Sequence, residues 1–111
     1  MNIDDLTIGE ARELARMFQG SVPESHPYKI GEAYAIRTVT MHHVGKLVAV
    51  YPQELVLEGA AWVADSGRWH NALETGEVKE CEPFLAGPVI VGRGGIIDAC
   101  VWKHELLRTV K

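Results

Sequence analysis

Apolar positions change period along this chain. Ala11, Leu14, Ala15 and Phe18 recur at helical spacing. Thr7-Ile8-Gly9-Glu10 before them fits a capping box, and Gly20 is a natural stop. The pattern predicts an N-terminal helix within residues 1–20, too short to stand alone in water. Residues 21–27, "SVPESHP", read as a linker. From Tyr28 the period falls to two. Ala35, Arg37, Val39 and Met41 alternate with Ile36, Thr38, Thr40 and His42, so Tyr28 to Val44 reads as extended. Leu47–Val50 is a strand. Tyr51-Pro52-Gln53 is a turn, because Pro52 has no N–H for a ladder. Leu55–Leu57 opens the next strand, and Ala60–Ala64 extends it.

Residues 65–83 break the pattern. They hold five acidic against two basic residues, turn chemistry, and a short helical piece around Trp69–Leu73. This is an insertion between strands, with Asp65 or Ser66 expected as its helix N-cap. Val89–Val91 and Ile96–Ile97 supply the last two strands, and residues 103–111 form a basic tail. One helix followed by five short strands predicts a mainly β chain: a small five-stranded antiparallel barrel over residues 28–102.

Composition narrows the function classes. At 111 residues the chain is of one-domain size. A net charge of −4 argues against a binder driven mainly by phosphate contacts. No run approaches the roughly 18 apolar residues of a membrane span. Asp4 and Asp5 stand where a secretory signal would be basic. Cys81 and Cys100 form no C-x-x-C pair. The expectation is a cytoplasmic protein with reduced thiols and no membrane contact.

The most unusual stretch is "VIVGRGGIIDACVW", Val89–Trp102. A P-loop needs a Lys-Ser or Lys-Thr step, which the chain lacks. A dinucleotide loop needs a third glycine where Ile97 stands, and a helix where strand formers follow. A hairpin remains, its glycines supplying positive φ at the turn. That leaves the arginine between them unexplained.

The order of elements and the Arg93-Gly94 step before Ile96-Ile97 resemble the Sm-like family of Sm, LSm and Hfq proteins. "IVGRGGIIDA" is similar to their second motif. "VGKLVAVYPQELVLEGAA" is similar to the first, with Gly45, Leu47, Val50, Leu55-Val56-Leu57 and Ala60 in phase. Tyr51 stands where the family carries an acidic residue, so Arg93 is the pocket residue that carries over. The resemblance implies a Sm/SH3-like barrel closing into a cyclic homo-oligomer, a hexamer or heptamer. It implies RNA at a pore-side site of Arg93 and Gly94, with Lys46, Arg37, His42 and His43 as helpers. Val89, Ile90, Val91, Ile96 and Ile97 would form the subunit interface, since few charges guard those edges. A structural ring or tubule, for example in a phage particle, is the alternative function. Arg93→Ala is expected to leave the fold nearly intact.

The remaining constellations read as structural. His42 and His43 are adjacent on a strand and point to opposite faces, so they do not chelate one ion. Asp65, Ser66 and His70 are too close in sequence to converge as a triad, and no G-x-S-x-G elbow is present. Cys100 reads as a small core hydrophobe, and Trp62, Trp69 and Trp102 as packing anchors. No metal, cofactor or enzymatic activity is expected.

Overall fold

The computed structural model describes residues 26–111. The expected N-terminal helix and most of the linker lie outside them. The elements are β1 (Ala33–Thr38), β2 (His42–Val50), β3 (Glu54–Asp65), α1 (Trp69–Thr75), β4 (Glu80–Pro83), β5 (Val89–Gly92) and β6 (Ile96–Val101). Every strand pairing is antiparallel. The sheet order is β4-β3-β2-β1-β6, with β5 also on β3. The described residues are therefore mainly β with one short helix.

Three expectations change. First, Tyr28–Val44 is not one run. Thr38 and Met41 close a turn: Thr38 N donates to the Met41 carbonyl at 2.7 Å, and the Thr38 hydroxyl accepts from Met41 N at 2.9 Å. The hydroxyl offers the backbone an alternative to the ladder, and Val39 stands 74% exposed at the turn. Second, the insertion holds a sixth strand: β4 pairs Val63 with Cys81 and Trp62 with Glu82. Its helix begins where expected, but neither Asp65 nor Ser66 caps it. Arg68 occupies the N-cap without a side-chain bond, while Asp65 accepts from Gly67 N at 2.8 Å in a tight turn. Third, Val89–Gly92 and Ile96–Val101 are not a hairpin. A 3₁₀ turn, Arg93–Gly95, separates them, and β5 lies on β3 while β6 lies on β1. Gly92, Gly94 and Gly95 all have ordinary φ, so turn glycines with positive φ are not what this sequence encodes.

The long strand β3 organises the sheet. Along one side it pairs with β2. On the other it carries β5 at Glu54–Leu57 and β4 at Ala61–Asp65. Gly59, between the two halves, has φ +57, and the β2–β3 register shifts twice nearby. The side chains alternate between two cores. Tyr34, Ile36, Leu47, Leu55, Leu57 and Val91 fill one. Ala35, Val44 and Val63 belong to the other, which is completed by Ala72 of α1, Val78, Cys81 and Trp102, with Leu106 and Leu107 of the tail packed on it. Tail residue Lys111 exchanges backbone bonds with Cys81, covering the outer edge of β4.

Gly45 lies where the two halves of β3 press on β2. A Cβ there would sit 2.9 Å from Ala60 Cβ and 3.1 Å from Leu57 Cβ. Both atoms are fixed to sheet backbone, so neither swings aside. Gly45→Ala is expected to cost about 1–3 kcal/mol by overpacking. Chemical denaturation measures it, and an unchanged midpoint would place β2 and β3 further apart than described.

Candidate functional site

The six candidate nucleic-acid residues do not form one site. Arg93 lies in the 3₁₀ turn. Its guanidinium donates to the Tyr51 carbonyl at 2.9 Å and its backbone N to the Gln53 carbonyl at 2.8 Å. The guanidinium carbon lies 5.8 Å from the Tyr28 ring centre, and Tyr28 meets Tyr34 edge-on at 5.6 Å. Arg93 therefore holds the β2–β3 turn against the 3₁₀ turn. Gly94 is exposed beside it. The other side of the turn is tied by Val39 N, which donates to the Gly95 carbonyl at 3.0 Å.

Arg37 and His42 meet elsewhere. Arg37 faces Asp98 across β1 and β6 and His42 across β1 and β2. Arg37 Nε donates to Asp98 Oδ1 at 2.8 Å, and its terminal nitrogen bonds the second carboxylate oxygen, a two-pronged pair. The pair holds the Asp98 carboxyl below its ordinary range and raises the Arg37 guanidinium, the hydrogen bond between them being the first cause of each. Trp69 at the start of α1 sits under both: the Arg37 guanidinium is 5.6 Å and the His42 ring 5.2 Å from its own. Cys100, half-buried against the second core, has its thiol pushed up by burial. Lys46 is exposed opposite Ala33 and Glu58, four residues from His42 and about 13 Å along the strand. His43 points to the opposite face from His42 and is buried. Two of these residues thus stand with Trp69 and Asp98, two stand at the 3₁₀ turn, and Lys46 and His43 stand apart.

A groove of about 890 Å³ runs along β6. Ile96 to Val101 form one wall, Pro27 to Lys29 another, and Glu32, Tyr34, Arg93 and Lys103 complete its lining. Lys29, Arg93 and Lys103 give it three cations against Glu32 and Asp98, and Asp98 is already paired with Arg37. Tyr28 and Lys29 carry no motif and were not legible as site residues; only their seat beside Arg93 marks them. Among the described residues, β6 pairs only with β1 and β5 only with β3. Ile90 and Ile97, on those strands, are 69% and 63% exposed, whereas Val91 is buried and Val89 and Ile96 are half-buried in the first core.

No group of three or more His, Cys, Asp or Glu that could hold a metal occurs among the described residues. The family models, the curated proteins and the solved structures contain no match to this chain.

The geometry changes what Arg93→Ala should do. Removing the guanidinium leaves the Tyr51 carbonyl to water, while the backbone bond from residue 93 to the Gln53 carbonyl remains. The expected loss is about 1 kcal/mol, the net value of one partly exposed hydrogen bond. Arg93→Lys should recover only part of it, because a lysine lacks the planar group that lies by the Tyr28 ring while one terminal nitrogen reaches the Tyr51 and Pro52 carbonyls. Thermal midpoints of the two variants decide this. Equal midpoints for wild type and Arg93→Ala would show that the contact contributes nothing to the fold.

Proposed function

We propose that this chain is a Sm-like small barrel, without enzymatic activity, that assembles with copies of itself into a closed ring. The observation that carries the reading is the pair of open edges. With β4 and α1 set aside as an insertion, five strands run β5-β3-β2-β1-β6. Among the described residues, the end strands each present an unpaired backbone row and an exposed isoleucine. Unpaired edges template pairing with another chain. Because the two edges are different strands, the contact is heterologous, and such contacts close into rings when the rotation permits. A ring of six or seven subunits follows from the resemblance.

A structural role is the reading the geometry supports better. Arg37 is engaged by Asp98, His43 is buried, and the Arg93 guanidinium already bonds the Tyr51 carbonyl. A second reading, RNA bound at the Arg93 corner, is favoured by one observation: Tyr28, Arg93, Lys29 and Lys103 set an aromatic ring among three cations along one groove. Bases stack on such rings without regard to sequence.

Native mass spectrometry tests the assembly. A single mass at six or seven subunits is expected. A ladder of masses would indicate an open filament, and a monomer at micromolar concentration would overturn the proposal. Ile90→Lys and Ile97→Lys place a charge on each edge, at positions exposed enough to tolerate it in the isolated subunit. Each should dissociate the assembly without changing the far-ultraviolet circular dichroism. Electrophoretic titration with U-rich and A-rich RNA at low salt addresses the second reading, which an absence of any shift would remove.

A further inference from the structure

His43 is a buried imidazole without a role in the site described above. It is 8% exposed, and its Nδ1 is buried with no hydrogen-bond partner. Its ring stacks on Phe84, centres 6.2 Å apart and planes 27° apart. Phe84 opens the loop of residues 84–88 that joins β4 to β5. We propose that this stack is a pH-sensitive latch: when His43 takes a proton, Phe84 lifts away and the loop leaves the sheet.

The argument rests on what surrounds the ring. Across β1 it faces Ile36, and across β3 it faces Trp62. Glu82 of β4 extends the same row as the partner of Trp62, two strand spacings or about 10 Å from His43, and is exposed. His42 precedes it on the opposite face. His43 forms no ion pair with a carboxylate among the described residues. A proton on Nδ1 therefore puts a buried N–H without an acceptor on a charged ring, which a protein relieves by hydrating it. Burial first, and His42 second, hold the His43 proton affinity below its ordinary value.

The route to water runs through Phe84. Ile36 is fully buried, and Trp62 sits in a strand paired on both sides. Phe84 is 41% exposed, Leu85 is 80% exposed, and Gly87 has φ +108. A single backbone bond, Phe84 N to the Ala60 carbonyl at 2.8 Å, ties the start of the loop down. The latch does not depend on the ring proposal.

The sign follows from linkage. Above about pH 6.5 the imidazole is neutral in both open and closed forms, and pH has no effect. Below that value the open form binds the proton better, so opening grows as pH falls, by at most tenfold per pH unit for one proton. Nuclear magnetic resonance on the wild-type chain tests it, following the His43 ring signal and the exchange protection of the Phe84 amide from pH 7.5 to 5. The expected result is a His43 midpoint below 6.5, with Phe84 protection falling up to tenfold per unit while the Leu47 amide, bonded to the Glu32 carbonyl, stays protected. In His43→Phe, which keeps a stacking ring but cannot titrate, Phe84 protection should be independent of pH once intrinsic exchange rates are removed. If that variant does not fold, the wild-type titration decides alone. A His43 midpoint at or above 6.5, a Phe84 amide indifferent to pH, or a simultaneous loss of protection at Leu47 would each overturn the latch.

Discussion

The chain passes from β5 to β6 in three residues, and those strands lie on different partners. That constraint governs the fold. A two-residue hairpin would have paired Val89–Gly92 directly with Ile96–Val101. The 3₁₀ turn instead places one on β3 and the other on β1. The turn is held from both sides, by Gln53 and Tyr51 accepting from Arg93 and by Gly95 accepting from Val39. It thereby ties the β1–β2 and β2–β3 turns to one short segment. The two edges left unpaired among the described residues, the groove along β6 and the position of Arg93 all follow from this crossing.

The second consequence is that the sheet is buried on both faces. Strands alternating strictly between inside and outside would leave Ala35, Val44 and Val63 in water. The insertion and the tail cover them. Ala72, Val78 and Cys81 arrive from residues 65–83, and Trp102, Leu106 and Leu107 from the end of β6 and the tail. His104 Nε2 donates to the Leu73 carbonyl at 2.8 Å, and Trp102 Nε1 to the Glu105 carbonyl at 2.9 Å, so the tail is held over α1 by specific bonds. Segments that read as an acidic insertion and a basic tail are half of the second core.

Much of the strand content was legible. The apolar runs placed β3 and β5 within a residue and marked the start of β6 but not its extent to Val101, and Trp69–Leu73 marked α1. The failures share one cause: pairing partners are not written locally. Arg93 was visible as an arginine between glycines. Its bond to Tyr51, 42 residues earlier, depends on the register of three strands. Asp98 was unremarkable until β6 set it opposite Arg37. Thr38 looked like one more β-branched residue, and its hydroxyl made a turn instead. Cys81 alternates with Glu80 and Glu82 over too few residues to announce a strand, and only its seat against β3 makes one.

The proposed ring requires the β5 and β6 edges to pair between copies. Amide hydrogen exchange of β5 and β6, followed over a dilution series of the wild-type chain, tests it most directly. In a ring, outward-facing amides on both strands are slow at high protein concentration and become fast together on dilution, while β2 amides between β1 and β3 do not change. Exchange on β5 and β6 that is equally fast at every concentration would contradict it.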